Sequence, residues 1–340
     1  MSTDKCAILG FGNIGAGTAE LLRSNAARIA KSAGRTVELK YILDVRFPHN
    51  SEFSDLFTTD FGVIENDPEI SVVIETIGGT RFAYDFTKRA LLAGKSVVTS
   101  NKELVATHGH ELLEIARTRN VNYLFEASVG GGIPILRPLT QCLAANEITE
   151  IFGILNGTTN YILTMMSDKG WSYEQALREA QKLGYAEADP SADVSGKDTC
   201  RKICILADLV FGKQFDPDKI SVRGIEDLSG IYVPPGSKIK LVGRAARTAD
   251  GRIAIYVAPH VIDKTNLLYT VDGVFNGIVV RGNAVGEVMF YGAGAGKMPT
   301  ASAVVADVID AVKHTHARKW VYWDDGDGEK LADPSELGKL

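Results

Sequence analysis

At 340 residues the chain is long enough for about two domains, each with a sizeable buried core. Hydrophobic residues at 45%, charged residues at 23%, and 34 glycines against 11 prolines exclude a mainly disordered, collagenous or low-complexity protein. A formal net charge of −5 supplies no basic field for a phosphate backbone, so no nucleic-acid partner is expected.

No stretch reaches the roughly 18 uninterrupted apolar residues of a membrane span. The N-terminus also lacks the basic region and long apolar run of a secretion signal. The expectation is a cytoplasmic protein with no membrane partner. Cys6, Cys142, Cys200 and Cys204 are too few and too scattered for a disulfide scaffold or a metal site, and read as reduced core thiols.

The apolar run Cys6 to Leu9 opens directly into Gly10-Phe11-Gly12-Asn13-Ile14-Gly15, followed by a helical pattern from Ala16 to about Ala33. Strand, glycine turn and helix in this order form a dinucleotide-binding fingerprint. The first glycine permits the turn, the second admits a pyrophosphate to the backbone, and the third lets helix and strand pack closely. A second strand, Val37 to Leu43, ends at Asp44. A third, Val72 to Thr76, ends in Ile77-Gly78-Gly79-Thr80. A helix from Phe82 to Ala93, a strand from Ser96 to Thr99, a helix from about Glu103 to Arg119 and a short strand from Tyr123 to Phe125 follow. This alternation predicts a doubly wound, Rossmann-type α/β domain with a parallel sheet. Its strand ends at Asn13, Ile14, Asp44, Arg46, Thr76, Gly78, Ser100 and Lys102 are candidate cofactor contacts.

After Gly130 the composition changes. Gly130-Gly131-Gly132-Ile133-Pro134 reads as a hinge, with Pro134 in the first turn of a helix through Leu143. A strand from Glu150 to Leu155 leads through Asn156-Gly157-Thr158-Thr159-Asn160 into a helical stretch, Tyr161 to Ser167. Helices are expected over Ser172 to Leu183 and Thr199 to Phe211. Beyond Pro234 the pattern is antiparallel, with strands Lys238 to Thr248, Arg252 to Ile262, Gly277 to Arg281 and Gly286 to Tyr291. A helix from Thr300 to Val312 returns to the first domain. The division expected is a dinucleotide-binding domain over 1–133 and 300–325, an α+β substrate-binding and dimerisation domain with an antiparallel or mixed sheet over 134–299, and a tail over 326–340. The acidic run Asp324 to Glu329 lacks calcium-loop spacing and reads as solvated. His108, His110, His314 and His316 read as scattered surface residues, and Trp320 and Trp323 as packing for the terminal segment.

Polar residues are dense between Gly184 and Lys202. If a helix begins near Asp198, Asp198 and Lys202 are i,i+4 neighbours on one face, either a surface ion pair with an acidic cap or part of a site. Lys102 follows a strand end of the nucleotide domain, where ligands of open parallel sheets bind. Lys102 from one domain and Lys202 from the other suit proton exchange with a substrate oxygen, and the carboxylates of Glu187, Asp193 and Asp198 suit a substrate ammonium. For Lys102 alone, a water-exposed helix start is the plain alternative.

These residues carry a resemblance. Through GFGNIG at 10–15, SNKELVA at 100–106, FEASVGGGIPIL at 125–136, GILNGTTNYIL at 153–163, GYAEADPSADVSGKDTCRK at 184–202 and FYGAGAGKMPTASAVVADV at 290–308, the chain resembles the homoserine dehydrogenases over nearly its whole length. The resemblance implies oxidation of L-homoserine to L-aspartate 4-semialdehyde with NAD(P), or the reverse, in threonine and methionine biosynthesis. It implies Lys102 and Lys202 as the proton-transferring pair and Glu187 and Asp198 as substrate-binding residues. Tyr185, Asp193, Gly157 and Thr158 would line the pocket, and Gly294 would join the cofactor contacts. It further implies a monovalent cation, typically Na+, on the Glu126 carboxylate and the carbonyls of Val129, Gly131 and Ile133. A structural turn around Glu126 is the alternative.

Many members carry a further ACT-type regulatory domain, whereas this sequence stops at Leu340 with room only for a tail, so threonine inhibition by that route is not expected. Asp44 at the end of the second strand favours NAD by pairing with the ribose diol. Arg46, two residues on, can neutralise Asp44 or clamp a 2′-phosphate, and the interval from Gly10 exceeds the usual figure of about 20 residues. The expectation leans to NAD with NADP also accepted. Two competitors remain. Aspartate-semialdehyde dehydrogenase would need a nucleophilic loop cysteine, and a non-catalytic dinucleotide sensor would have lost the polar site. A two-fold homodimer is expected through an exposed face or edge of the antiparallel sheet.

Overall fold

A computed structural model describes residues 2–46, 52–315, 317, 321–326 and 330–340. Expectations on His316, Trp320 and residues 327–329 fall outside the described residues. The chain divides into two compact units, residues 1–132 with 295–324, and residues 133–294 with 325–340.

The first unit is built from β1 (Thr3–Leu9), α1 (Asn13–Ser24), α2 (Ala26–Ala33), β2 (Thr36–Leu43), β3 (Phe57–Thr58), α3 (Phe61–Glu65), β4 (Ile70–Glu75), α4 (Arg81–Leu92), β5 (Ser96–Thr99), α5 (Lys102–Arg119) and β6 (Tyr123–Leu124). The six strands are all parallel, in the order β3-β2-β1-β4-β5-β6. This is the Rossmann arrangement, in which the strand order reverses beside the β1–α1 turn. The helix Lys297–Lys313 packs Val304, Val305, Val308 and Val312 with Ala19, Leu22, Ile8 and Ile74 into one core.

The single helix expected to Ala33 is instead two, broken at Asn25 (φ −108°, ψ 18°). An asparagine side chain competes for backbone hydrogen bonds and is a poor interior helix residue. In the turn, Gly10 sits at φ +90°. A Cβ on Gly15 would lie 2.0 Å from the Gly10 carbonyl oxygen, so the helix can approach the strand only without a side chain there.

The second unit comprises β7 (Ile148–Ile154), α6 (Gly157–Lys169), α7 (Tyr173–Lys182), α8 (Ser191–Val194), α9 (Lys197–Phe211), β8 (Ser221–Val222), β9 (Lys238–Arg247), β10 (Ile253–Ile262), β11 (Phe275–Gly282) and β12 (Gly286–Ala293). Its mixed sheet runs β12-β11-β7-β9-β10-β8, antiparallel except for β8 beside β10. The helix expected from Pro134 shrinks to a wide π-type turn over Pro138–Cys142, closed by the Leu143 amide donating to the Pro138 carbonyl at 2.8 Å. Pro138 has no N–H to return to residue 134, which prevents a regular helix from that point. Cys142 is exposed, contrary to expectation, while Cys6, Cys200 and Cys204 are buried.

One face of this sheet, with Phe152, Ile154, Val242 and Val279, is covered by Leu268, Val271 and Leu340 of the same chain. Residues 332–338 are also tied down, by Ala332 N–H donating to Ile253 O at 2.8 Å and by Arg244 donating to Gly338 O at 2.7 Å. That face is therefore not open, and β12 remains as an edge strand. No helix among the described residues is long and apolar enough to cross a membrane.

Gly15→Ala is expected to destabilise the protein by about 1–3 kcal/mol, the range for forcing atoms into a filled space. Urea denaturation followed by circular dichroism checks it, and an unchanged midpoint would show that the turn yields.

Candidate active site

The polar groups of the first unit gather at the carboxyl ends of its strands. Gly12 starts α1 without a side-chain cap, and nothing lies within 4 Å of where its Cβ would stand. An uncapped helix start of this kind favours an anionic group such as a pyrophosphate. The Asp44 carboxylate accepts the Phe11 amide at 2.7 Å and the Arg46 amide at 2.9 Å, bracing the glycine turn against the end of β2. The Asp44 side chain is 8% exposed, whereas that of Arg46 is 85% exposed with its Nε 3.7 Å from Asp44 Oδ1. The Thr76 hydroxyl donates to the carbonyls of Leu9 and Gly10 at 3.0 and 2.8 Å.

On the other side of β4, Glu75 is fully buried. It accepts the Ile77 amide at 2.8 Å and the Thr99 hydroxyl at 2.5 Å, and burial pushes its carboxyl up from the usual range. Asn101 caps α5 by accepting the Leu104 amide at 3.1 Å and donates through Nδ2 to Gly79 O at 2.6 Å. Lys102 is the first helical residue and half-buried, so the plain reading of a water-exposed start does not describe it. Glu126 is buried in a short turn, Glu126–Ser128, its amide donating to Asp307 Oδ2 at 2.8 Å.

In the second unit, Asn156 caps α6 by accepting the Thr159 amide at 2.8 Å. Its Nδ2 donates to Asp193 Oδ1 at 2.7 Å and to Asp198 Oδ2 at 2.8 Å. Lys202 Nζ lies 2.9 Å from Asp198 Oδ2 and donates to Leu155 O at 2.8 Å. With side chains 9% and 6% exposed, Lys202 and Asp198 are not the surface pair that their spacing allowed. Burial and then the Asp198 charge push the Asp193 carboxyl up. An ammonium has three N–H groups, and two are used here. The cluster thus offers a fixed donor beside carboxylates that share one amide.

Thr158 Oγ1 donates to Tyr185 O at 2.6 Å, and the Tyr185 ring stands edge-on to Tyr161 with centroids 5.0 Å apart. Glu187 is exposed on the same loop. Gly294 follows β12 and presses on Asn276, whose amide is fully buried without a hydrogen-bond partner. The structure therefore gathers Gly157, Thr158, Tyr185, Asp193, Asp198 and Lys202 around the starts of α6 and α9. Asn156, Glu75, Thr99 and Asn101 are the residues that sequence reasoning passed over. Asn156 directly before a helix carried a cap signal, and a carboxylate ending an otherwise apolar strand marked Glu75.

A glycine-turn parallel sheet in one unit and a buried lysine–carboxylate cluster in the other are the parts expected of a nucleotide-dependent dehydrogenase. Family models agree in detail: one described as homoserine dehydrogenase, NAD binding domain, matches residues 10–126, and one described as homoserine dehydrogenase matches residues 134–309. The homoserine dehydrogenase of Pseudomonas aeruginosa is 43% identical over 318 residues, 92% of this chain and 73% of that protein. That of Bacillus subtilis is 39% identical over 321 residues, 92% of this chain and 74% of its own length. Among solved structures, the Thiobacillus denitrificans homoserine dehydrogenase superposes with a TM-score of 0.87 at 39% identity, covering all of this chain and 80% of that one. A hyperthermophilic archaeal homoserine dehydrogenase in complex with NADPH gives 0.77 at 29% identity, covering 91% and 97%. The chain belongs to the homoserine dehydrogenase family, and its activity is that of an NAD(P)-dependent oxidoreductase. The readings as a non-catalytic sensor or another amino-acid-pathway dehydrogenase are not favoured.

Asn156→Ala removes a helix cap, worth about 1 kcal/mol, and the donor shared by Asp193 and Asp198. A stability loss of about 2 kcal/mol in denaturant and a fall in kcat/KM on the order of tenfold or more are expected. Wild-type kinetics would show that the two carboxylates are set without it.

Proposed function

We propose that Lys102 and Lys202 are the proton-transferring pair for the interconversion of L-homoserine and L-aspartate 4-semialdehyde. The observation that carries this reading is the buried ion pair of Lys202 with Asp198, which holds an ammonium at a fixed point with donor capacity left over. In the oxidising direction the C4 hydroxyl loses its proton to a lysine in its neutral form while the same carbon loses a hydride, leaving the aldehyde. The reverse step returns the proton from the ammonium to the carbonyl oxygen. NAD(P), when bound, takes or gives the hydride.

Glu187 and Asp198 would hold the substrate ammonium through charge-assisted hydrogen bonds. Tyr185, Asp193, Gly157 and Thr158 would line the pocket. The dinucleotide would rest on Gly10, Gly12, Asn13, Ile14 and Gly15, with Asp44, Arg46, Thr76, Gly78, Ser100, Lys102 and Gly294 as further contacts. The open uncapped start of α1 and the close strand approach at Gly15 fit a pyrophosphate.

We assign a monovalent cation, Na+, to the Glu126 carboxylate and the carbonyls of Val129, Gly131 and Ile133. One buried carboxylate with carbonyl oxygens suits a hard cation of low charge, and Gly131 at φ +57° lets the chain turn its carbonyls. Among the described residues no cluster of three His, Cys, Asp or Glu side chains offers an alternative metal site. The reading also includes a cytoplasmic location, a place in threonine and methionine biosynthesis, and a homodimer formed through the β12 edge.

Lys202→Ala is expected to abolish most turnover of aspartate semialdehyde with NADH or NADPH while the far-ultraviolet circular dichroism stays wild type. A folded variant that keeps most of the wild-type kcat would remove Lys202 from its role.

For the cofactor, a braced Asp44 carboxylate opposes a 2′-phosphate more than the exposed Arg46 attracts one. NAD is the preferred dinucleotide in this reading, with NADP accepted. Parallel kcat/KM measurements test it, and Asp44→Ala should move the ratio toward NADPH. A tenfold wild-type preference for NADPH, or an unchanged ratio in the variant, would defeat the argument.

A further inference from the structure

We propose that Glu75 is a positioning residue for the reaction: its buried side chain locks the 77–79 turn to the 99–101 segment and so fixes the backbone from which Lys102 projects. The inference rests on the assignment of Lys102 as a proton carrier. It adds to that assignment a residue with no direct part in the chemistry.

The argument begins with placement. Glu75 is the last residue of β4, paired in register with Thr99, the last residue of β5. Both strands lie inside the sheet, and their carboxyl ends are where open parallel sheets bind ligands. A fully buried carboxyl is tolerated only when its oxygens are hydrogen-bonded. One oxygen accepts the Ile77 amide at 2.8 Å and the other the Thr99 hydroxyl at 2.5 Å.

Thr99 passes the link on. Its hydroxyl oxygen accepts the Asn101 amide at 2.9 Å while its proton goes to Glu75. Asn101 closes the loop by donating from Nδ2 to Gly79 O at 2.6 Å, and its Oδ1 caps the helix that begins at Lys102. Gly78 and Gly79 both stand at positive φ, 82° and 66°, and bring no side chains to hold the turn. Four bonds from three side chains therefore determine where the two loops lie.

The neighbouring residue makes the division of labour plain. Thr76, next in sequence, ties the same strand end the other way, to the carbonyls of Leu9 and Gly10 in the glycine turn. Glu75 thus serves the Lys102 side and Thr76 the pyrophosphate side. The Tyr123 hydroxyl, on the strand beyond β5, is buried without a hydrogen-bond partner, so it does not share the load of the carboxyl.

Glu75→Ala is the direct variant but leaves a buried hole, and Thr99→Val supplies a test that keeps core volume while deleting both hydroxyl links. Thr99→Val is expected to lower kcat at least tenfold with KM for homoserine within about threefold. The limb of the kcat–pH profile that Lys102→Ala removes should be displaced. Thr99→Ser, which restores the hydroxyl, should recover most of the wild-type rate, and a merely structural role would lower Tm without moving the pH profile. A folded Thr99→Val with wild-type kcat and pH profile, alongside a Lys102→Ala of low but measurable activity that lacks the limb, overturns the role of Glu75 alone. A fully active Lys102→Ala overturns both this inference and the assignment of Lys102.

Discussion

Taking a charge out of water is costly unless it is paired and its remaining hydrogen-bonding capacity is met. The Lys202–Asp198 ion pair meets the first condition and, with two of the three ammonium N–H groups used, most of the second. The two residues are i,i+4 on α9, so the helix brings them onto one face within reach of each other. Lys202 then reaches the first carbonyl beyond β7, at Leu155, while Asp198 accepts from the side-chain amide of the next residue, Asn156. Strand end and helix start are thereby joined through charged groups. Asp193, drawn to the same amide, is left beside a like charge in a poorly solvated place, which is why its carboxyl is pushed up.

The first unit was largely legible in its sequence. Buried parallel strands are short apolar runs, and Gly10 and Gly15 sit where only glycine fits, so the β1–α1 unit announces itself in residue types. Several elements of two to five residues were not legible, although β5 and β6 were. β3 and α3 lie in the stretch after Asp44, and β8 pairs with β10 over two residues. Such pieces have too little periodicity to read and owe their form to the strands they touch. The break at Asn25 and the wide turn at Pro138 are set by single residues inside otherwise regular patterns, and both carried a readable signal that the periodicity outweighed.

The site divides along a similar line. Residues that would touch ligands, such as Lys102, Asp198 and Lys202, lie in polar stretches that stand out. Residues that hold them do not. Glu75 falls within the strand read from Val72 to Thr76, and only the structure shows its carboxylate to be fully buried. Asp44 stands where a ribose partner is expected, yet both its oxygens already accept backbone amides, and only tertiary contact shows this bracing role.

Asn101 and Asn156 solve the same problem in the two units, and their chemistry explains why the residue is asparagine. Each is an N-cap whose Oδ1 accepts an amide in the first helical turn, from Leu104 in one case and Thr159 in the other. Serine, threonine or aspartate could do that much. Each asparagine also donates from Nδ2 to a second segment, to Gly79 O in the first unit and to Asp193 of α8 and Asp198 of α9 in the second. Aspartate has no such donor, and a hydroxyl is too short to face both ways at once. A single planar amide therefore fixes a helix start and ties it to a neighbouring segment. In the first unit the helix begins at Lys102, and in the second the tied first turn of α9 carries the carboxylate that pairs with Lys202. The two asparagine amides are neutral, so each ties its segments together without adding a charge beside the lysine.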